Sequence, residues 1–452
     1  MRPTLYTAAW VLPVTSPPIA DGAVFVDGGG IIRHVAPASA IEVGDDIART
    51  DLGEAILLPG LIDVHTHPEL AGMRGLLEDL PFDRWIAALR RAKDGAPLTD
   101  TDCALAARWT CAEAIAAGIT TIGATETSGA ALDALRETGM RGIVYREAFA
   151  PDPARAGDAF HALSRAVAAM RDRGTDLVRA GASPHAPYTV SDELYRLIAA
   201  WAVAEDVPVA THAGEAVAEL LLVRDGAGPF AAGLHTRGIA TRPRAASTVR
   251  LLERTGLLAA RPLLIHCVSI DPDDTRRIAD AGAAVAHCPV ANARLGHGIA
   301  PVVELQEAGI PVGLGTDSVA SNNRIDLLEE ARVAQLLQRA RLRSADALDP
   351  QRLLRLLTID GARALGLDSV TGSLAPGKDA DLCAVTLEGV HARPVNEPVA
   401  TLTMSTRGAD VVLTAVRGRV LFHHGRYTGL DAGRMRAGMD RLGERLRTAR
   451  DA

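Results

Sequence analysis

The stretch Leu58-Pro59-Gly60-Leu61-Ile62-Asp63-Val64-His65-Thr66-His67-Pro68 is an apolar run that closes on two histidines one residue apart. Alternate side chains of an extended strand point the same way, so His65 and His67 present two imidazoles on one face. Two nitrogen donors from one strand end make half of a tetrahedral zinc-type site. The same pattern, a short apolar run ending in a residue able to bind metal, recurs at His185, His212, His266, His287 and Asp317.

Working outward, apolar runs read as strands at 56–66, 118–124, 140–148, 178–184, 207–212, 262–267, 283–287 and 311–316. Between most of them lie helical stretches, among them Ala104–Ala117, Ala159–Arg173, Asp192–Ala204 and Thr275–Ala281. Eight strands alternating with helices fit either a (β/α)8 barrel of the TIM type or an open doubly wound sheet. The polar residues decide for the barrel. His67, His185, His212, His266, His287 and Asp317 all fall at or just past the C-terminal ends of the strands, which converge on one mouth in a barrel. An open sheet spreads several of them too far apart to share one ion. Residues 1–58 and 368–428 read instead as short strands with turn signals, such as Gly28-Gly29-Gly30 and Pro376-Gly377-Lys378. The expected α/β architecture is thus a barrel over 59–367 beside a composite β-sandwich made from both flanks. Leu430, Met435, Met439, Leu442 and Leu446 have helical spacing and predict a closing helix over 429–452.

The chain of 452 residues is 48% apolar and 23% charged, ordinary for a globular protein, and its net charge of −7 gives no footprint for nucleic acid. Five cysteines without a CxxC spacing argue against a disulfide framework and for a reducing cytoplasm. The N-terminal stretch, broken by Pro13, reads as a strand rather than a signal peptide, and no run reaches the roughly 18 apolar residues of a membrane span.

His212 ends the run Val207–Thr211 and adds a third neutral nitrogen. Glu215, three residues on, leaves the strand toward the mouth, where it can hold a proton beside a metal-activated water. Asp317 follows Val312-Gly313-Leu314-Gly315-Thr316, and an acid so placed must be paired or ligating. Three histidines and an aspartate suit one divalent ion and leave room for a water. His266 either orients that water or completes a second site. No lysine lies between Lys93 and Lys378, so the carbamylated lysine that bridges two metals in many dinuclear barrels cannot be built. One metal, with His266 polarising the water, is the expectation. Arg146 and His185, at the ends of strands three and four, face substrate in this reading, whereas His287 and His297 are left outside the site.

With these residues in place, the chain resembles the amidohydrolase superfamily, on the branch of the S-adenosylhomocysteine/5'-methylthioadenosine and aminodeoxyfutalosine deaminases. The resemblance runs through PGLIDVHTH (59–67), SPHAPYTVS (183–191), HAGE (212–215), HCV (266–268), AHCPVANARLGHGIAP (286–301), GTDSVASNN (315–323) and GSLAPGKDADL (372–382). It implies one Zn or Fe ion held by His65, His67, His212 and Asp317. Glu215 would protonate a ring nitrogen, Asp317 would accept the water proton, and His266 would steady the nucleophile. The reaction implied is loss of the 6-amino group of a 5'-modified adenine nucleoside as ammonia. Arg146, with Arg155 as a candidate companion, matches an arginine that meets a substrate carboxylate. Asp94 falls where the family carries a ribose-binding glutamate, and Trp85 belongs to the segment 68–94 that would cap the pocket. A second reading keeps the metal site but deaminates or dechlorinates another N-heterocycle, such as a triazine or a guanine-like ring. A third, a non-catalytic scaffold, would lack bound metal. The partner expected is a small nucleoside, with no nucleic acid and no membrane, and enzymes of this kind are often dimers or larger assemblies of one chain. The resemblance to the aminodeoxyfutalosine enzymes would place the reaction in menaquinone biosynthesis.

Overall fold

The computed structural model describes residues 1–451. Eight parallel strands, buried almost throughout, form the centre: β1 (Leu61–Thr66), β2 (Ile119–Glu126), β3 (Arg141–Ala148), β4 (Val178–Pro184), β5 (Ala210–Ala213), β6 (Leu263–His266), β7 (Ala284–His287) and β8 (Val312–Leu314). Hydrogen bonding runs β1-β2-β3-β4 and β5-β6-β7-β8. Bridges at Ala182–Val209 and Thr66–Asp317 join the two halves, so the ring closes and its C-terminal ends share one mouth.

Close approach of the staves is visible at Gly123 on β2, where a Cβ would lie 2.1 Å from the Val64 carbonyl oxygen. Asp63 locks β1 to the end of β8: its carboxylate accepts the Thr316 amide at 3.0 Å and the Thr316 hydroxyl at 2.6 Å. Burial pushes the Asp63 carboxyl up to about 7, against these hydrogen bonds.

The run expected as one strand over 56–66 divides at Gly60. Ala55–Pro59 pairs antiparallel with Leu382–Thr386, whereas β1 belongs to the barrel. Proline and glycine break the extension, and Gly60 packs so tightly on Thr120 that a Cβ would lie 2.1 Å from its hydroxyl. The pairing of Ala55–Pro59 with Leu382–Thr386 joins the chain's two ends in a single nine-stranded sheet. That sheet buries its own cluster, including Tyr6, Val24, Leu57, Leu382 and Leu413. Arg141, at the start of β3, pairs with Asp379 and Asp381 at 2.7 Å each and ties sheet to barrel.

Over the mouth lie a 3-10 turn at Pro68–Met73 and a helix at Phe82–Gly95. The helix Ala432–Asp451 buries Met439, Leu442 and Leu446 in the same cluster as Leu70, Met73, Phe82 and Trp85. Among the described residues, no helix is long and apolar enough to cross a membrane.

Candidate metal and catalytic centre

Several strand ends contribute side chains to the mouth, the end of β1 bringing both His65 and His67. His65 Nδ1 lies 3.2 Å from the Thr125 hydroxyl. The Nδ1–H of His212 donates to the His185 carbonyl at 3.1 Å, and that of His266 donates to Asn292 Oδ1 at 2.9 Å. An acceptor at Nδ1 fixes the tautomer and leaves the Nε2 lone pair of each of these two rings free. Burial holds the pKa of His212 down at about 3, and it lowers those of His67, His185 and His266 as well. The rings are therefore neutral at neutral pH, the form that binds metal.

Asp317 turns its carboxylate into this group. Oδ2 accepts the Ser321 hydroxyl at 2.6 Å, and Oδ1 lies 3.4 Å from His65 Nε2 and 3.5 Å from His67 Nε2. Burial opposes its ionisation, but the adjoining imidazoles of His65, His67 and His266 outweigh burial and hold the carboxyl well below its ordinary range. The backbone is strained here. His266, Cys267 and Asp317 all take positive φ (78°, 47° and 54°), a region uncommon for non-glycine residues.

The donor set fits a divalent cation. One ligand atom each from His65, His212, His266 and Asp317 lie within 4.8 Å of one another, all buried. His65 Nε2 is buried without a hydrogen-bond partner. The separations of 3.4 and 3.5 Å around Asp317 Oδ1 are close to the edge of a tetrahedron of ligands about 2.1 Å from a common centre. His67 adjoins this group, with its ring 4.8 Å from that of His65 and 5.4 Å from that of His212. His266 also brings a ring nitrogen into this group, with its ring 6.1 Å from that of His65 and 5.5 Å from that of His212.

Glu215 lies beside the cluster and is buried. Its Oε1 is 3.5 Å from His266 Nε2 and 3.4 Å from His297 Nε2, and its Oε2 accepts the Tyr188 hydroxyl at 3.2 Å. Burial alone would raise this carboxyl, but His266, His297 and His212 overcome it and hold the pKa down at about 2. His297 therefore belongs to this neighbourhood, and nothing in the sequence reading had drawn it in. It comes from a turn after the short helix Pro289–Arg294, so no apolar strand announces it. Its only signal was its place in the 286–301 motif. Asn292, Tyr188 and Ser321 went unread for the same reason. His287 ends β7 as expected, buried, with neither ring nitrogen hydrogen-bonded.

Farther along the rim, His185 lies with its ring 4.8 Å from that of His212 and its Nε2 3.8 Å from Glu147 Oε1. Arg146 is half-buried at the end of β3, and among the described residues no hydrogen bond or ion pair engages it. Trp85 is buried and stacks on Phe82, whose ring meets His297 edge-on at 4.5 Å. Asp94 is exposed on the helix Phe82–Gly95, and its neighbour Lys93 is the residue that reaches inward, 3.3 Å from Glu69 Oε1.

The chain is similar to known proteins over most of its length. The model of the amidohydrolase family matches residues 56–421. A 5-methylthioadenosine/S-adenosylhomocysteine deaminase of Syntrophobacter fumaroxidans is 33% identical over 398 residues, 87% of this chain and 86% of that protein. A 5'-deoxyadenosine deaminase of Methanothermobacter thermautotrophicus is 30% identical over 417 residues, 91% of this chain and 93% of that one. Among solved structures, an adenosine deaminase from Xanthomonas campestris with bound zinc superposes with a TM-score of 0.85 at 27% identity, covering 99% of both chains.

Proposed function

This chain belongs to the amidohydrolase family, and on that premise we propose that it is a metal-dependent deaminase of a 5'-modified adenine nucleoside. The observation that carries the reading is Glu215, a buried carboxylate within 3.5 Å of His266 and beside a group of candidate metal ligands. The names of the deaminases that match most of the chain support the substrate class.

His65, His67, His212 and Asp317 would hold one zinc or iron ion, with His266 beside them. Bound there, the ion supplies the Lewis acidity that makes water nucleophilic at neutral pH. Asp317 takes the proton of that water and His266 holds it in line. Glu215 first takes up a proton and gives it to the ring nitrogen next to the attacked carbon; the proton held by Asp317 passes to the departing amine, and the hydroxyl proton at C6 returns to Glu215. Water adds to C6, the C6–N6 bond breaks, and ammonia leaves a hypoxanthine product. Tyr188 and His297 hold Glu215 between them, and the unpaired Arg146 suits a carboxylate at the far end of the substrate, with His185 nearer the ring. Trp85 would help cap the pocket, and a ribose contact at Asp94 would need the exposed end of its helix to turn inward. The barrel of 59–367 carries this chemistry in the cytoplasm, and the flanks 1–58 and 368–428 support it through their shared nine-stranded sheet rather than the expected sandwich, with the helix Ala432–Asp451 packed beside the segment over the mouth.

The test is ammonia release by metal-loaded protein from methylthioadenosine, adenosylhomocysteine, 5'-deoxyadenosine and aminodeoxyfutalosine side by side. A preference of about a hundredfold, roughly 2.7 kcal/mol in transition-state binding, would name the substrate. If none of the four is deaminated, the adenine-nucleoside reading fails and another N-heterocycle, such as a triazine, takes its place.

A further inference from the structure

Glu219 lies one helical turn beyond Glu215, in the helix Val217–Asp225, and is fully buried. A carboxylate so placed is costly unless its oxygens are hydrogen-bonded. Its Oε1 accepts the Gly214 amide at 2.8 Å and also the Thr248 hydroxyl. Its Oε2 accepts the Glu215 amide at 3.3 Å. These are two consecutive backbone donors of the turn that carries the Glu215 side chain. The other side of the turn is held as well, because the Gly214 carbonyl accepts the Ser269 amide at 2.7 Å. Gly214 has φ +61°, and a Cβ there would meet Ser269 O at 3.2 Å and Ile270 Cγ2 at 3.1 Å. The turn therefore has one narrow seat against the loop after β6, and Glu219 occupies the open side of it.

We propose that Glu219 is a positioning residue, clamping the Gly214–Glu215 backbone so that the Glu215 carboxylate stays between His266, His297 and Tyr188. Thr248 in turn fixes Glu219. The inference rests on the reading of Glu215 as the proton shuttle.

Glu219→Gln preserves shape but turns an amide NH2 toward a backbone N–H or the Thr248 hydroxyl. We expect metal content per chain unchanged, KM within about threefold and kcat lower by about a hundredfold, the scale of a 1 Å misplacement. Thr248→Val loosens the clamp without touching Glu219 and should lower kcat by roughly three- to tenfold. It carries the test if Glu219→Gln does not fold. On a Glu215→Gln background, Glu219→Gln should cost less than about twofold more, because the group it aims is already disabled. A merely structural role would give its full loss in both backgrounds. Folded, metal-bound Glu219→Gln with kcat within about threefold of the parent, or full additivity with Glu215→Gln, overturns the proposal. If the parent releases no ammonia from any nucleoside, the functional reading has failed separately. A crystal structure of Glu219→Gln then decides: Glu215 displaced by about 1 Å or more from Tyr188 supports the clamp, and an unmoved Glu215 overturns it.

Discussion

At the scale of single residues, the proposed roles give His65, His67 and His212 to metal binding and Glu215 to proton transfer. Glu215→Gln keeps the volume and an oxygen to accept the Tyr188 hydroxyl, and removes the carboxylate that takes up and releases a proton. Turnover should fall by about 10²–10⁴ with metal content unchanged, measured by ammonia release and metal analysis, and near-parent turnover refutes the role. His212→Ala should do the reverse first, lowering bound metal per chain, since it removes a nitrogen whose tautomer the His185 carbonyl fixes. A variant that still binds one ion as tightly as the parent would remove His212 from the ligand set. His65, His67, His212 and Asp317 were legible in the sequence because each closes an apolar strand. His297, Asn292 and Ser321 were not, because turns and short helices bring them in and no periodicity marks such segments.

At the scale of elements, strand positions were readable, but helix starts mostly were not, the helix expected from Asp192 being the one that begins where the spacing puts it. The expected strand 140–148 is observed at Arg141–Ala148, and 178–184 at Val178–Pro184. The helix expected from Ala104 begins at Asp100, where Thr99 and Asp102 form a capping box, and the one expected from Thr275 begins at Pro272 behind Asp271 and Asp274. Polar capping residues lie outside the apolar stripe, so a reading by hydrophobic spacing starts one turn late. Stave packing makes its own prediction. Gly123→Ala would force a Cβ to 2.1 Å from the Val64 carbonyl, so the midpoint of urea unfolding should drop by an amount equivalent to about 1–3 kcal/mol or more. An unchanged midpoint would mean that β1 and β2 can separate freely.

At the scale of the whole molecule, the barrel and the sheet of both chain ends are stitched together by a buried ion pair. Arg141 donates to Asp381 at 2.7 Å and to Asp379 at 2.7 Å. Arg141→Met would leave Asp381, completely buried, without its cation. A loss of about 3–5 kcal/mol is expected, read as a lower unfolding midpoint. Restoration by the triple change to Met with Asn at 379 and 381 would show that the loss comes from the stranded carboxylates. A midpoint unaffected by Arg141→Met would show that apolar packing alone joins the two units.

The sequence by itself determined the alternation of strands and helices, the barrel reading and the residue types at the strand ends, because strand periodicity and burial are local properties of the chain. It also marked both flanks as β-rich. Only the tertiary structure decided that the flanks share one nine-stranded sheet, that Gly60 divides a continuous apolar run between that sheet and the barrel, and that His297 and Tyr188 meet at Glu215. Those outcomes depend on which distant segments come within hydrogen-bond reach. Ring closure of the eight strands sets that distance, and no local pattern encodes it.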